Sequence, residues 1–185
     1  NAFGIHGYRA EMPETWSAVY QKMKALMDEA DVDMPLIVSE FGSQGGPPPK
    51  LSEALYLRMK PNYEDERGQA SVIARTMAIA AAHDVRTFVW YKWTRVSYNP
   101  TGTDYYGIIE DFPTPHPLPA VLGYNAIAST LYDVKSGTRL DAGDEAVYVY
   151  RYACENGDTA WVAWTTHDQQ VEYVLKVPSN QSTWT

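Results

Sequence analysis

Glu40 is the residue of this chain whose type and position most directly suggest chemistry. It stands near the end of a short apolar segment, residues 35–42, that runs into a loop rich in glycine and proline. If this segment is a buried parallel strand, the carboxylate is held at the carboxyl end of the strand, where α/β folds bind and convert their substrates. A solvated Glu at a strand end would look the same in isolation, so the neighbouring segments decide between the two interpretations.

Two further strand-like segments end in side chains that could share a site with Glu40. Residues 2–8 end on an imidazole and a phenol, and residues 85–91 end on an indole and a phenol. Side chains two residues apart on a strand share a face, so we expect these groups to converge at one mouth. Taken singly, Tyr8 and Trp90 are more often core residues than ligands, and His6 is about as often a hydrogen-bonded structural residue. The expected same-face groups are His6 with Tyr8, Glu40 with Leu36 and Val38, and Trp90 with Phe88 and Lys92.

The composition excludes several classes of function. A formal charge of −8 argues against nucleic acid, whose phosphates require a basic surface. Cys154 is the only cysteine, which excludes an intrachain disulfide, and the four histidines lack metal-ligand spacing. No apolar run approaches the roughly 20 residues of a membrane helix. We therefore expect no metal, no cofactor, no nucleic acid and no membrane. Fourteen Tyr and six Trp could instead supply flat surfaces for sugar rings.

Strand and helix patterns alternate over the first two thirds of the chain, which predicts an α/β fold with parallel strands and crossover helices. The rhythm breaks near Lys135, where short alternating segments joined by Asn-Gly-type turns predict an antiparallel sheet. We therefore expect two domains, residues 1–135 and 136–185. The predicted strands are residues 2–8, 35–41, 85–91, 146–152, 159–165 and 171–177, and the predicted helices follow Pro13, span residues 65–83, and follow Pro119.

The strand ends resemble a known group of enzymes. His6-Gly7-Tyr8, residues 37–42 and residues 88–91 look like the ends of strands six, seven and eight of the clan A glycoside hydrolases, which are retaining (β/α)8-barrel enzymes. Residues 107–109 and 116–120 look like the segment leading into the last barrel helix. The motifs are short, and their order and spacing over residues 1–132 carry the resemblance. It implies the C-terminal part of a TIM barrel followed by a small antiparallel β-sandwich.

The resemblance also implies a role for each candidate residue. Glu40 matches the nucleophile, which attacks the anomeric carbon and must be ionised to do so. Tyr8 would donate a hydrogen bond to Glu40, His6 would orient groups at the same subsite, and Trp90 would form the floor beneath the sugar. The substrate would be an oligosaccharide, a polysaccharide or another glycoside, and we expect a secreted or periplasmic location rather than a cytoplasmic one. Further sugar contacts are expected from Tyr91, Lys92 and Trp93.

The family pattern is incomplete in this chain. The acid/base Glu, which follows an Asn at the end of strand four in the family, has no counterpart here. A complete barrel takes roughly 250 residues, and only three strand–helix units fit before Lys135. We therefore expect the chain to be the C-terminal part of a larger enzyme, with the missing N-terminal part of the barrel as its partner.

Two alternatives remain from other classes of function. A carbohydrate-binding protein could use Tyr148, Trp161 and Trp164, although residues 161 and 164 face opposite sides of a regular strand, so core packing is favoured for at least one. A catalytically silent scaffold is the second alternative. Other acids compete less well with Glu40: Glu110 and Asp111 are adjacent and read as solvated or as a turn cap, and residues 64–66 read as first-turn helix charges.

Overall fold

The computed structural model describes residues 1–7, 12–45, 63–64, 66–95, 105–110, 114–167, 170–172 and 174, and it has a mixed α/β architecture. Tyr8 lies outside the described residues. The helices are α1 (Trp16–Glu29), α2 (Glu66–Ala82) and α3 (Pro119–Leu131). The strands are β1 (Phe3–His6), β2 (Leu36–Phe41), β3 (Gln44–Gly45), β4 (Tyr63–Glu64), β5 (Thr87–Trp90), β6 (Thr94–Arg95), β7 (Ile109–Glu110), β8 (His116–Pro117), β9 (Val134–Leu140), β10 (Val147–Cys154) and β11 (Thr159–Thr165).

The sheet that carries Glu40 is parallel and has the order β1-β2-β5. α1 connects β1 to β2, and α2 lies between β2 and β5, so the predicted strand–helix alternation is confirmed. β2 is the central strand, which places Glu40 between the two other predicted site segments. Within the part of the chain that the structure describes, this sheet is open rather than closed into a barrel.

Helix α1 follows a single 3-10 turn, Pro13–Thr15, in which Pro13 supplies the fixed backbone angle that a helix start favours. Trp16, Tyr20 and Met27 are buried, as their helical spacing predicts. Leu26 was expected on the same face but is 49% exposed. It precedes Met27 by one residue and so lies about 100° around the helix from the buried stripe.

The antiparallel sheet has the order β9-β10-β11 and packs through its aromatic face against α2. The Tyr152 hydroxyl donates a 2.7 Å hydrogen bond to the Ala78 carbonyl in the middle of α2. Tyr150 and Tyr152 belong to the same hydrophobic cluster as Trp16 and Val38, so one core is continuous from the parallel sheet to the antiparallel one. The expected boundary near residue 135 lies inside β9.

Two details of the antiparallel region differ from the sequence-based expectations. Strand β9 was not predicted, because its sequence is mostly polar and its partner β10 is found only in three dimensions. A strand was expected over residues 171–177, but residues 171, 172 and 174 are not in a strand, and the others lie outside the described residues.

A buried ion pair joins three elements of the fold. Glu14, in the 3-10 turn, accepts hydrogen bonds from Arg75 Nε at 2.7 Å and Nη2 at 2.6 Å, which ties the start of α1 to α2. The same carboxylate accepts a 2.7 Å bond from Trp164 Nε1 on β11. The two charged side chains are only 8% and 14% exposed. We name this arrangement the Glu14 node; it fixes the antiparallel sheet to the helices.

Candidate functional site

A β-bulge precedes the end of β2 and decides where Glu40 lies. Ile5 pairs with Val38, but the next residue of β1, His6, pairs with Glu40, so Ser39 and Glu40 together oppose one residue. The pairing of β2 with β5 is also irregular between Val38 and Phe41. An extra residue in one strand shifts the alternation of side chains beyond it to the opposite face. The expected grouping of Glu40 with Val38 is therefore wrong.

The helix side of the sheet is marked by Phe41. Its ring contacts Trp16 of α1, with the ring centroids 5.9 Å apart, and it is buried together with Leu36 and Val38. A Cβ atom on Gly7 would lie 2.6 Å from the Phe41 ring and 3.3 Å from Trp16, so residue 7 also faces this side. Glu40 directly precedes Phe41, and His6 directly precedes Gly7, so Glu40 and His6 lie on the other face of the sheet.

Trp90 is on the helix side, which corrects its expected role as the floor of a sugar site. Its ring lies 5.7 Å from that of Phe41, and it packs against Ile73 of α2 and Ala120 of α3. Its indole Nε1 donates a 3.1 Å hydrogen bond to the Tyr106 carbonyl. Phe88 and Trp90 share one face of β5, as expected. Because of the bulge in β2, Glu40 lies on the opposite face of the sheet. Trp90 is partly buried and packs against the core.

We call the other side the open face; it carries His6, Glu40, Val89 and Tyr91. Its side chains are the more exposed ones, with Val89 46% and Tyr91 40% accessible and Glu40 half-buried. His6 lies directly across from Glu40 on β1. The Tyr91 amide donates a 2.7 Å hydrogen bond to the Phe41 carbonyl, which holds Tyr91 immediately beyond the end of β2. A carboxylate, an imidazole and a phenol therefore lie on this face.

The remaining predicted sugar contacts lie just beyond β5. The Lys92 ammonium stands 5.9 Å from the centre of the Tyr91 ring, an arrangement that a cation–π attraction favours. Trp93 is 56% exposed, and its carbonyl accepts the amides of Ile108 and Ile109 at 3.0 Å. Its backbone is therefore fixed although its indole meets solvent. Tyr8 lies outside the described residues, so its predicted bond to Glu40 stays a prediction.

The competing acids have other partners. Glu110 was expected to be solvated or a turn cap, but its Oε2 lies 3.4 Å from Arg95 Nη1 and only 16% of its side chain is exposed. Glu66 lies in the first turn of α2, as expected, and also contacts Arg95. Asp65 and Asp111 lie outside the described residues. In the described ranges, no group of three or more His, Cys, Asp or Glu is placed to hold a metal ion.

The tail aromatics were candidates for a binding platform, and Trp164 does not serve as one. Its ring is stacked between Tyr148 and Tyr150, with centroid distances of 5.3 Å on both sides, and its Nε1 is bonded to Glu14. The core-packing interpretation is confirmed for this residue. Burial raises the pKa of Tyr150 to about 12 and that of Tyr152 further, so both phenols are neutral.

The chain matches none of the protein-family models, curated proteins or solved structures with which it was compared. The resemblance of its strand ends to clan A glycoside hydrolases therefore stays a prediction. Among the residues whose structure is described, no helix is both long enough and apolar enough to cross a bilayer.

Proposed function

We propose that this chain carries the nucleophile half of a retaining glycoside hydrolase site, with Glu40 as the nucleophile. The observation that supports this most strongly is the bulge in β2, which puts Glu40 on the open face at the carboxyl end of the central parallel strand. Parallel sheets keep their binding sites at this end.

The proposed chemistry assigns one carboxylate to this chain. A Glu40 carboxylate oxygen attacks the anomeric carbon and forms a glycosyl-enzyme as the bond to the leaving oxygen breaks. A second carboxyl group, about 5 to 5.5 Å away, protonates that oxygen and then removes a proton from the water that hydrolyses the intermediate. His6, across from Glu40, is placed to orient a sugar hydroxyl.

Tyr91 takes the role that the sequence assigned to Trp90. It lies on the same face as Glu40, whereas the indole of Trp90 is packed among the helices. A phenol ring buries the apolar face of a sugar much as an indole does, and its hydroxyl adds a hydrogen bond. Lys92 and Trp93 extend this surface beyond the strand.

We propose that the second carboxylate comes from the remaining strands of a (β/α)8 barrel. Purely parallel sheets are covered on both faces in known folds, and barrel closure removes their open edges. The open face here presents Val89 and Tyr91 to solvent, and β1 and β5 have free edges within the described sheet. Additional parallel strands would cover the apolar side chains and supply the acid/base residue. In this proposal the tail sheet belongs to the appended β-sandwich.

The test compares residues 1–185 alone with the same chain joined to the rest of the barrel. Activated aryl glycosides of several sugars are the substrates. We expect no turnover by the chain alone, since losing the acid/base residue costs roughly 10² to 10⁴-fold, and robust turnover by the assembled protein. In the assembled protein, Glu40→Gln should abolish turnover, whereas Glu155→Gln, which changes an exposed acid in a turn of the tail sheet, should not.

A non-catalytic carbohydrate-binding role is the second candidate, favoured by the exposed rings of Tyr91 and Trp93. It predicts that the assembled protein binds sugars without cleaving them and that Glu40→Gln leaves the binding unchanged. Turnover that depends on Glu40 would exclude it. Turnover by residues 1–185 alone that depends on Glu110 would instead mean that the second acid lies within this chain.

A further inference from the structure

A buried polar cluster lies beneath the candidate site and joins the loops that follow β2 and β5. Its side chains are Gln69 of α2, which is fully buried, and Arg95 of β6, which is 5% exposed. They bind backbone carbonyls rather than each other. We call this cluster the loop clamp; its backbone members are Ser43, Gly45, Tyr105 and Tyr106.

Gln69 holds the two loops together with one amide group. Its Nε2 lies 2.8 Å from the Ser43 carbonyl, in the loop after β2. The same nitrogen lies 3.2 Å and 3.3 Å from the carbonyls of Tyr105 and Tyr106, which precede β7. An amide nitrogen has only two hydrogens, so these three carbonyls share them. Removing the donor would take one bond from each of the three carbonyls, and a buried carbonyl that loses its donor costs more than the bond itself contributes.

Arg95 closes the cluster from the other side. Its Nη2 donates to the Gly45 carbonyl, and its Nη1 contacts Glu66 at 3.2 Å and Glu110 at 3.4 Å. Its guanidinium carbon lies 5.4 Å from the centre of the Tyr105 ring. Two carboxylates and an aromatic ring thus offset the cost of burying one cation. The Gly45 amide in turn donates a 2.9 Å bond to the Tyr105 carbonyl, so the loops are also bonded directly.

The loop clamp reaches the open face through Tyr106. The Tyr106 carbonyl accepts bonds from Gln69 and from Trp90 Nε1, and its ring lies edge-on to Tyr91 with the centroids 5.7 Å apart. Space at this point is limited, since a Cβ atom on Gly42 would lie 2.8 Å from the Tyr106 ring. Because the two rings are in contact, a displaced Tyr106 would displace the Tyr91 ring at the end of β2.

We propose that Gln69 is a positioning residue for the candidate site: by holding Tyr106, it fixes Tyr91 at the end of β2, on the face that carries Glu40. The inference that Gln69 affects turnover rests on the proposed function, whereas the geometry of the loop clamp does not depend on it. The hydrogen bonds of Gln69 go to Ser43, Tyr105 and Tyr106, so its proposed effect on the site is transmitted through Tyr106.

The test is amide hydrogen exchange in Gln69→Leu, a substitution of similar size that removes the donor. The reporter is the Gly45 amide, which is bonded to the Tyr105 carbonyl, and the reference is the set of amides of β10. The control is Thr76→Val, which removes another buried donor of the same helix, the hydroxyl bonded to the Val72 carbonyl, but does not touch the loop clamp. Amides exchange through local opening, so a lost buried donor should speed exchange at Gly45 by roughly ten- to a hundredfold relative to β10.

Equal acceleration at Gly45 in the two variants would overturn the positioning role. If Gln69→Leu does not fold, Gln69→Glu keeps the test possible. Its carboxyl group, when protonated, still has one O–H to donate, and when ionised it repels the three carbonyls. Protection of the Gly45 amide should then fall as pH rises through the pKa of the introduced carboxyl group, and a pH-independent protection would contradict the proposal.

Turnover of the assembled protein separates a failure of the proposed function from a failure of the positioning role of Gln69. We expect Gln69→Leu to lower kcat by at least tenfold with the fold intact, and Thr76→Val to leave it near the unmodified value. If Glu40→Gln keeps full turnover, the proposed function is wrong and the exchange result alone decides whether the loop clamp exists. If Glu40→Gln is inactive but Gln69→Leu has unchanged exchange and kcat, the positioning role alone is wrong.

Discussion

Removing one charge from the Glu14 node should destabilise the fold strongly, because three elements depend on that carboxylate. We expect Glu14→Gln to leave the Arg75 guanidinium, 14% exposed, without its anion. Breaking a buried ion pair from one side costs about 3–5 kcal/mol. The introduced amide oxygen, in the place of Oε1, still accepts from Arg75 Nε and Trp164 Nε1, but the amide nitrogen in the place of Oε2 cannot accept from Arg75 Nη2, so we expect a loss of about 2–3 kcal/mol.

The free energy of unfolding, measured by urea titration followed by tryptophan fluorescence, checks this value. For a chain of this size, the loss corresponds to a Tm lower by about 5–10 °C. The matched control is Arg86→Gln, which breaks the Arg86–Asp84 pair with side chains 59% and 49% exposed. That change should cost about 0.5 kcal/mol or less. A Glu14→Gln loss no larger than the control would refute the reasoning that this node fixes the antiparallel sheet to the helices.

Three further predictions concern single side chains. Burial, with a smaller effect from Lys24, lowers the pKa of His83, so the stabilising contribution of His83 is complete above about pH 6.5 and is lost as pH falls. The free energy of unfolding should therefore decrease less with falling pH in His83→Gln than in the unmodified protein, and the same pH dependence in both would contradict this. Burial and Asp133 raise the pKa of the Cys154 thiol, so alkylation of Cys154 at neutral pH should be slow until urea unfolds the protein. Fast alkylation of the folded protein would argue against the burial of Cys154. Trp90→Leu should lower the Tm by several degrees, whereas Tyr91→Ser should lower kcat/KM of the assembled protein at nearly unchanged Tm; the reverse pattern would restore Trp90 to the site.

Much of the architecture could be predicted from local patterns. Pro13 followed by apolar residues at helical spacing predicted α1, and the alternation of apolar strands with helices predicted the parallel sheet. These features follow from short-range physics, since a helix buries one stripe and a parallel strand is apolar throughout. Glu40 could be proposed for the same reason, because an acid at the end of an apolar run is visible in the sequence.

The geometry of the site depended on contacts that no local pattern contains. The bulge at Ser39 and Glu40 exists only relative to His6 on the neighbouring strand, and it reversed the expected side of Trp90. The role of Gln69 was equally hidden, since its partners are backbone carbonyls of loops more than 20 residues away in sequence. One available signal was Phe41: an aromatic directly after Glu40 must pack somewhere, and its burial puts Glu40 on the opposite face.

Covalent labelling of the assembled protein with a mechanism-based fluoro-sugar, followed by peptide mapping, tests the assignment of Glu40 most directly. Such a reagent traps the glycosyl-enzyme on the carboxylate that attacks the anomeric carbon. Our account predicts one equivalent of sugar on the peptide that contains Glu40, and no labelling of the Glu40→Gln variant. A label on Glu110, or on any carboxylate outside β2, would contradict it.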